Sequence, residues 1–469
     1  MRTSALTEAE WFPGMTEDGR RLLRWLRERP SAPRFTHQIG DRLTAEAVRR
    51  IRSFEAELQS ERALEGWRPD SAPNWVGEFV AFAYGDVPFY RRRGSPPSAI
   101  SSVATTRRAD VDHEPWALVP DSQPLEDLIV YTTSGTHGRP LSVLSLPETS
   151  AHYLPLIRWA LQRVGVNLEG GPGRVALIQV CAQRYTFTFP TIATYLDQAG
   201  MVKVNLNPAE WRDPADRAVF LDECRAEIYA GDPIAFAELL RLPLRWRPKA
   251  MLSTSMNLDA EFASRLAARF ECPILNMYAL TEAGPIGVED RGSFLLFPRR
   301  LYVEAVRPDD TPCQPNERGE LVVTGGFNPM LSLLRYRTSD YGRVEFRGSQ
   351  PVLTDLDLRP PTIYRAADGH LVNNIDVTMG LQRFGLDRFE VRQFKDGAVA
   401  VRVLGIDVEA NQVRAALSDV FGANAAVSVT IDDKIGEIDP RGMRPEGRRR
   451  LTEHSSEVSF GELLEVGLW

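Results

Sequence analysis

The sequence predicts an α/β protein, with a large N-terminal domain followed by a small α+β domain. Its 469 residues exceed what one hydrophobic core usually serves. Short apolar runs alternate with amphipathic segments as far as about residue 358, which is typical of a sheet covered by helices. Beyond that point the sequence indicates a strand hairpin beside two helices. We therefore expect domains over residues 1–358 and 359–469.

The N-terminal domain is expected to begin with a helical lead-in over residues 1–85. Residues 18–65 are rich in Arg, Glu, Leu and Ala, and their apolar residues recur at helical spacing. Three apolar runs that resemble buried strands follow, at residues 128–131, 174–180 and 250–252, and a helix is expected over residues 258–270.

The C-terminal domain is predicted as a compact unit of strands and helices. Strands are expected at residues 362–364, 389–394, 398–403 and 425–431, and helices at 374–384 and 409–421. Such a unit is small enough to act as a mobile lid. Residues 349–361 contain Pro351, Pro360 and Pro361, and because proline interrupts both helix and sheet we expect the linker there.

The composition argues against several classes of function. A net charge of −7 disfavours a nucleic-acid surface, since such proteins concentrate positive charge. No apolar run approaches the ~20 residues of a membrane-spanning helix, and no secretory signal is visible, so we expect a cytoplasmic protein without a membrane partner. The four cysteines form no metal-binding pair. Only four of the 56 Lys and Arg residues are lysine, so chemistry that requires lysine has few candidates.

The strongest chemical signal is the segment Tyr131-Thr-Thr-Ser-Gly-Thr-His-Gly-Arg-Pro140, directly after an apolar run. A loop dense in Ser, Thr and Gly offers hydroxyls and unshielded backbone N–H groups for phosphate oxygens. It is not a Walker A loop, because Arg139-Pro140 stands where the lysine and helix should begin. An ordinary polar turn is the alternative interpretation.

This loop resembles the [ST]-S-G-[ST]-[ST]-G-x-P nucleotide loop of the adenylate-forming superfamily, which includes acyl-CoA synthetases and aryl-acid ligases. Three further segments resemble its motifs in the same order: Asn276–Glu282 for N-x-Y-G-x-T-E, Gly319–Thr324 for G-E-L-x-[VI]-x, and Arg335–Asp340 for Y-R-T-G-D. Val87–Arg91 and Thr105–Asp110 are similar to N-terminal sequences of the phenylacetate-CoA ligase branch and its capsule-biosynthesis relatives.

The resemblance implies that the motifs bind ATP and Mg²⁺. Glu282 would be the Mg²⁺ ligand and a catalytic residue, and Asp340 would accept both ribose hydroxyls. Arg359 would reach ribose or phosphate from the domain hinge, unless it is simply a surface arginine. The phosphates would be held by the loop residues Thr133, Ser134, Gly135, Thr136, His137 and Gly138, with Thr136 also catalytic. Tyr278 and Asn276 would contact the adenine, and Ser255 would belong to the other wall of its slot. The remaining nucleotide-binding residues of this motif would be Met277, Ala279 and Thr281.

The acyl pocket has a less specific signature. Tyr185, Phe187 and Phe189 occupy the place where relatives present an aromatic wall to the acyl group. Ala283, Gly284 and Pro285 follow the metal-binding glutamate and would shape the pocket floor. The alternative is that the aromatic residues are plain core.

The sequence departs from the family near its C-terminus, where relatives carry a G-K pair whose lysine stabilises the reacting carboxylate and α-phosphate. Gly447 is followed here by Arg448, a larger, planar cation that is not a conservative replacement at a point-charge site. Either Arg448 serves as the charge clamp or Lys434 serves from a shifted position, whereas Lys203, Lys249 and Lys395 match no catalytic motif. Ala279 also replaces the usual glycine, and Pro360-Pro361 would restrict rotation of the small domain.

The resemblance implies an ATP-dependent ligase that activates a carboxylic acid, aromatic or a biosynthetic intermediate, as an acyl-adenylate. CoA, a carrier-protein thiol or an amine would then accept the acyl group, and relatives are often homodimers. One alternative keeps the fold but activates an unusual oxyacid such as nitrite for nitrogen–nitrogen bond formation. A second is a nucleotide-binding pseudoenzyme or scaffold, which the missing lysine favours and the retained Glu282 and Asp340 disfavour.

Overall fold

A computed structural model of the chain describes residues 6–60, 71–125, 128–132, 141–184, 186–298, 300–357, 363–382, 384, 388–394, 396–404 and 409–432. These residues form a twelve-stranded sheet, two two-stranded sheets and a three-stranded sheet. A large N-terminal domain contains the twelve-stranded sheet, and a smaller C-terminal domain follows it. No helix within the described ranges is long and apolar enough to cross a membrane.

The α-helices are α1 (Glu8–Trp11), α2 (Glu17–Glu28), α3 (Ala45–Leu58), α4 (Asn74–Asp86), α5 (Pro88–Arg91), α6 (Arg108–His113), α7 (Pro147–Ala151), α8 (Tyr153–Arg163), α9 (Asp216–Cys224), α10 (Pro233–Leu240), α11 (Ala260–Phe270), α12 (Asn374–Gln382) and α13 (Ala410–Phe421). The strands are β1 (Ile129–Thr132), β2 (Ser142–Ser145), β3 (Val175–Cys181), β4 (Phe189–Ala193), β5 (Ala199–Asn205), β6 (Ile228–Gly231), β7 (Ala250–Ser253), β8 (Ile274–Leu280), β9 (Gly284–Asp290), β10 (Ser293–Leu296), β11 (Leu301–Val306), β12 (Gly319–Gly325), β13 (Leu333–Arg347), β14 (Gln350–Thr354), β15 (Ile363–Arg365), β16 (Leu371–Asn373), β17 (Arg388–Gln393), β18 (Val399–Leu404) and β19 (Val427–Asp432).

The large sheet has the strand order β11-β12-β13-β14-β10-β9-β8-β7-β6-β3-β5-β4. Strands β5, β3, β6, β7 and β8 are parallel, and the remaining pairings are antiparallel. Parallel strands covered on both faces have nearly continuous apolar sequences, and β3 fits this rule except at Gln179. Residues of α2, α9, α10 and α11 cover one face, and residues of α3 and α8 cover the other.

The helical lead-in consists of separate helices. α2 and α3 begin at side-chain caps from Thr16 and Thr44, which accept backbone N–H groups of the first turn. Between them residues 29–44 are not helical and include Pro30 and Pro33, so the helical lead-in is interrupted in this stretch.

The strand expected at residues 128–131 forms, but it is not a buried strand of the large sheet. β1 pairs with β2 in a two-stranded sheet of its own. Val130 is 54% exposed and Tyr131 38% exposed. The prediction that this strand is buried is therefore wrong. An apolar run indicates a strand, but it does not indicate which elements pack against that strand.

The expected linker over residues 349–361 begins inside the large sheet. β14 lies between β13 and β10, although its second residue is a proline. Pro351 pairs with Phe346 of β13, whereas β10 pairs only with Val352 and Leu353. The missing N–H of the proline therefore lies beyond the ladder with β10, which explains how the strand tolerates it. Residues 358–361 lie outside the described residues.

The elements predicted for the C-terminal domain are confirmed for the described residues. β17 and β18 form an antiparallel hairpin, and α13 connects β18 to the parallel strand β19. The domain has its own core, with Val401, Val413, Leu417 and Phe421 fully buried. The short hairpin of β15 with β16 adds one strand that the sequence did not indicate.

The C-terminal domain contacts the large domain at the carboxyl ends of two parallel strands. Asn373 donates to the carbonyl oxygen of Ala182 at 3.5 Å and is hydrogen-bonded to Asp232. The backbone N–H of Arg184 donates to Asp376 at 2.7 Å. These contacts place β16 and the start of α12 against the ends of β3 and β6.

Candidate active site

Strand β8 brings the first of the motif residues into the interior. Tyr278 lies on the strand and Glu282 follows its end, and both are buried. The neighbouring strands β7 and β9 hold β8 in place through parallel and antiparallel pairing, respectively. Two polar side chains are thereby fixed at one end of the strand.

Two hydrogen bonds join this segment to β13, far along the chain. The Tyr278 hydroxyl donates to Asp340 Oδ2 at 2.9 Å, and the Tyr336 hydroxyl donates to Glu282 Oε1 at 2.8 Å. All four side chains are buried. The two segments therefore run in opposite directions past each other. Each of the two carboxylates accepts a hydrogen bond from a tyrosine hydroxyl of the other segment.

The turn that carries Asp340 is stabilised by the neighbouring strand β12. The Ser339 backbone N–H donates to Glu320 at 3.1 Å, and Arg337 Nε donates to the same carboxylate at 3.0 Å. Thr338 donates its hydroxyl to the Leu321 carbonyl oxygen at 2.9 Å. Ser339 has a φ of 62°, a left-handed conformation that favours glycine, and it stands where the family motif has its glycine.

Arg335, before that turn, is a structural residue. Its guanidinium is fully buried, and it binds Glu304 at 3.2 Å together with the carbonyl oxygens of Ser101, Val103 and Asp310, each at 2.9 Å. Each of the three guanidinium nitrogens thus has an acceptor, as a buried arginine requires. It positions the backbone of β13 and is not available to a ligand.

The segment Thr105–Asp110 lies against the same turn and adds a residue that sequence reasoning missed. The Thr106 N–H donates to the Arg335 carbonyl at 3.1 Å, and the Arg337 N–H donates to the Thr106 carbonyl at 2.9 Å. This pairing brings Arg108 Nη1 to 3.4 Å from Glu282 Oε1. The contact joins residues remote in sequence, so the only available signal was the resemblance of the segment itself. Tyr336 also belongs to one of the sequence motifs, Arg335–Asp340, but the sequence indicated no role for its side chain.

The residues expected to form the pocket floor begin strand β9 and are buried. Gly284 has a φ of +75°, and a Cβ on it would lie 2.9 Å from the Tyr153 ring. Burial raises the pKa of Tyr153 above its ordinary value. Both the backbone conformation and the close approach of the ring therefore require glycine at this position.

The residues expected around the adenine have mixed environments. Asn276 is buried and donates to Glu289 on β9 at 2.9 Å, while Met277 is buried beside it. Ala279 is half-buried, Thr281 is exposed, and Ser255 is exposed with a φ of +75°. Ser253, at the end of β7, has a fully buried hydroxyl that has no hydrogen-bond partner in the described structure.

The two described residues of the expected aromatic wall lie on a different part of the sheet. Phe187 is 46% exposed and stacks on Phe189 with ring centroids 6.0 Å apart. His37 contacts the Phe187 ring edge-on at 5.7 Å, and Lys203 Nζ lies 3.5 Å from its centroid. Phe187 is therefore not a residue of the hydrophobic core, which was the alternative interpretation of these aromatic residues.

Several expected site residues lie outside the described residues. They are Thr133, Ser134, Gly135, Thr136, His137, Gly138, Tyr185, Arg359 and Arg448, together with the alternative Lys434. Within the described ranges no group of three or more His, Cys, Asp or Glu side chains could hold a metal ion. A Mg²⁺ ion bound largely by phosphate oxygens needs only one or two protein carboxylates, and the buried Glu282 fits that requirement.

Comparison with solved structures shows what the fold resembles. No family model and no curated protein sequence matches this chain. A 2-hydroxyisobutyryl-CoA ligase, solved with 2-HIB-AMP and CoA in the thioesterification state, is similar over 88% of this chain and 93% of its own, with 14% identity and a TM-score of 0.51. An amide bond synthetase from Marinactinospora thermotolerans has 18% identity over 69% of this chain and 70% of its own, with a TM-score of 0.38. The chain has the fold of the adenylate-forming ligases, with a large N-terminal and a smaller C-terminal domain.

Proposed function

We propose that this protein is an ATP-dependent ligase that activates a carboxylic acid as its acyl-adenylate. The observation that carries the proposal is the pair of buried hydrogen bonds from Tyr278 to Asp340 and from Tyr336 to Glu282. Burying two carboxylates costs stability unless each one is paired or used. In a fold of this kind, they are the residues expected at the ribose and at the metal.

Asp340 would accept the two ribose hydroxyls, and Tyr278 would lie against the adenine while orienting the Asp340 carboxylate. Oδ2 of Asp340 already receives the Tyr278 hydroxyl at 2.9 Å, which fixes the direction of the carboxylate. A carboxylate held in one orientation before the nucleotide binds loses less entropy on binding. The turn stabilised by Glu320 supports this orientation.

Glu282 would hold Mg²⁺, and Tyr336 and Arg108 would position its carboxylate. When bound, Mg²⁺ would neutralise charge on the phosphates as pyrophosphate leaves. Arg108 pairs with the buried carboxylate of Glu282, because its guanidinium lies 3.4 Å from Oε1. The residues from Thr133 to Gly138 would cradle the phosphates and Arg448 would serve as the charge clamp.

The activated acyl group would pass to CoA, a carrier-protein thiol or an amine. The acid would be aromatic or a biosynthetic intermediate, with Phe187 and Phe189 as part of its pocket wall and Ala283–Pro285 at its floor. The exposed ring of Phe187 supports this assignment, since it offers apolar surface to a ligand. We also propose that the protein is cytoplasmic and that it forms a homodimer.

Acid-dependent exchange of pyrophosphate into ATP tests the proposal. A panel of carboxylic acids is screened with the full chain, and we expect exchange with at least one of them. Glu282→Gln should abolish exchange and Arg448→Ala should weaken it. Glu169→Gln is the matched control, since Glu169 is an exposed carboxylate that pairs with Lys249 and Arg174.

Two results would contradict the proposal. One is ATP binding without exchange under any acid, which favours a nucleotide-binding scaffold. The other is exchange that survives Glu282→Gln unchanged at saturating Mg²⁺. Including nitrite in the panel separates oxyacid activation from carboxylic acid activation.

A further inference from the structure

Lys203 is a buried cation in the parallel region of the large sheet, beside the expected aromatic wall. It lies on β5, where its Cα partners are Gln179 on β3 and Phe189 on β4. Paired residues on neighbouring strands direct their side chains to the same face of a sheet. Lys203, Gln179 and the two phenylalanines therefore share one face, the one that α3 and α8 cover elsewhere.

That face is open at this point. Gln179 is exposed, although β3 lies between β5 and β6 and every other residue of the strand is buried. An exposed side chain in the middle of a covered sheet requires a hollow that reaches solvent. Phe187, 46% exposed, lies at the same place. The hollow therefore has an aromatic side and a polar base.

Lys203 is 9% exposed and has no ion pair or hydrogen bond from its ammonium group to any residue that the structure describes. Its ammonium group lies against the Phe187 ring, 3.5 Å from Nζ to the ring centroid. Burial lowers the pKa of Lys203, and the only opposing influence comes from the Cys181 thiol. A cation–π contact contributes about 2 kcal/mol at most, less than the several kcal/mol that burying an ammonium costs.

Two other buried or half-buried cations among the described residues of this domain are paired. Arg335 binds one carboxylate and three carbonyl oxygens, and Lys249 binds both Glu169 and Glu227. Lys203 differs from both. A buried cation that lacks an acceptor, at the base of an open hollow, is arranged for an anion that comes from outside the chain.

This anion cannot be the carboxyl group that is activated beside Glu282. The strand order places β5 four strands from β8, which Glu282 follows. At about 4.8 Å per strand the separation is on the order of 19 Å, beyond the reach of one lysine side chain. An anion at Lys203 is therefore remote from the reacting carboxyl group.

We propose that the acid carries a second carboxylate at its far end, separated from the reacting carboxyl by an apolar chain or ring, and that Lys203 binds it. The apolar part lies against Phe187, and Lys203 determines specificity for diacids over monoacids. This inference rests on the proposed function and names its class of substrate. It also gives a role to a lysine that matches no catalytic motif in the sequence.

The test compares straight-chain and aromatic dicarboxylic acids with their monomethyl esters in the pyrophosphate exchange assay. The wild-type chain should prefer a diacid of suitable length over its ester by about tenfold or more in kcat/KM. Lys203→Met should lower kcat/KM for that diacid on the order of 100-fold and remove the preference. Lys249→Met is the matched control and should leave the ratio of diacid to ester unchanged.

Stability without ligand gives a second measurement. Lys203→Met replaces an unpaired buried ammonium by an apolar chain of similar length, so its Tm should equal or exceed that of the wild type. A Tm well below the wild type would indicate a structural lysine and overturn the inference. Lys203→Gln, which removes the charge but keeps a polar side chain, and the wild-type comparison of acid with ester repeat the specificity test independently.

The two proposals fail in distinguishable ways. Exchange with monoacids and esters as efficient as with diacids, unaltered in Lys203→Met, overturns the role of Lys203 and leaves the ligase proposal intact. Absence of exchange under every acid overturns the ligase proposal. In that case calorimetric titration with the diacids alone decides about Lys203: binding lost in Lys203→Met supports the anion site, and no binding to the wild type overturns it.

Discussion

Tyr278 links the adenine position to the ribose position through one hydroxyl. Tyr278→Phe keeps the ring and removes the hydrogen bond of 2.9 Å to Asp340. A buried hydrogen bond to a charged group contributes about 1.5–3 kcal/mol, so we expect KM for ATP to rise by roughly tenfold or more. Tyr229→Phe is the control, because the Tyr229 hydroxyl bonds the Leu221 carbonyl in the core. Equal effects of the two variants would contradict a nucleotide-related role for Tyr278.

Tyr336 is a positioning residue for Glu282. In Tyr336→Phe the carboxylate loses the hydroxyl that donates to Oε1 at 2.8 Å, while Arg108 remains. We expect kcat/KM to fall about tenfold and the Mg²⁺ concentration for half-maximal exchange to rise. A purely structural role would lower Tm without changing the Mg²⁺ dependence, and that result would contradict the assignment.

Residues of ordered motifs could be predicted from the sequence, whereas residues that act through long-range contacts could not. Tyr278 and Asp340 stand in motifs with fixed spacing, and the structure joins them directly. Arg108 reaches Glu282 only because Thr106 pairs with the backbone on both sides of Tyr336. Lys203 matches no motif, and its burial without a counter-ion among the described residues is a property of the fold alone.

At the scale of elements, Gly284 and Gly292 permit a matched comparison. Both have a φ near +75°, but a Cβ would approach the Tyr153 ring at Gly284 and would meet nothing within 4 Å at Gly292. Gly292→Ala should therefore cost about 1–2 kcal/mol of unfolding free energy from backbone strain alone. Gly284→Ala should cost roughly 1–3 kcal/mol more from overpacking.

Thermal or denaturant unfolding of both variants checks this difference. Gly284 begins β9 directly after the Glu282 turn, so its substitution should also disturb exchange activity, whereas Gly292→Ala should not. Equal losses of stability in the two variants would show that the Tyr153 ring moves aside, and would contradict a rigid pocket floor.

Elements with a complete local signature were predictable, and elements defined by their neighbours were not. The C-terminal strands and helices follow from apolar periodicity and the Asp396-Gly397 turn signal. β14 was missed because a proline usually marks a break, and only the register with β10 shows why this proline is tolerated. For β1 the apolar run predicted a strand, but its separation from the large sheet depends on pairing with β2.

At the scale of the whole molecule, the C-terminal domain docks beside the hollow that contains Lys203. Its contacts fall at the ends of β3 and β6, the two strands at which the connections of the parallel sheet diverge. In open α/β sheets, ligands bind at such switch points. The sequence predicted two domains but could not indicate this docking position, because contacts between domains leave no periodic pattern.

Asp232, at the centre of this docking position, makes the stability of the molecule depend on pH. Asp232 is the N-cap residue of α10, and its carboxylate accepts the Ala235 N–H at 2.8 Å. It is also hydrogen-bonded to Asn373 of the other domain. Burial raises the pKa of Asp232 to about 6, from 3.8. The folded state therefore binds the carboxyl proton of Asp232 more tightly than the unfolded state. The contribution of this proton to the free energy of unfolding is fully present below about pH 4 and is lost as pH rises through about 6.

Asp232→Asn should remove this dependence, because asparagine also caps helices but does not ionise. We expect the variant to be more stable than the wild type by about 3 kcal/mol at neutral pH, with the difference falling towards zero near pH 4. Thermal unfolding of both proteins across that range measures the difference. Asp259→Asn makes the same exchange at the exposed N-cap of α11 and is the matched control. A difference for Asp232→Asn that does not vary with pH would contradict ionisation of this carboxyl as its cause.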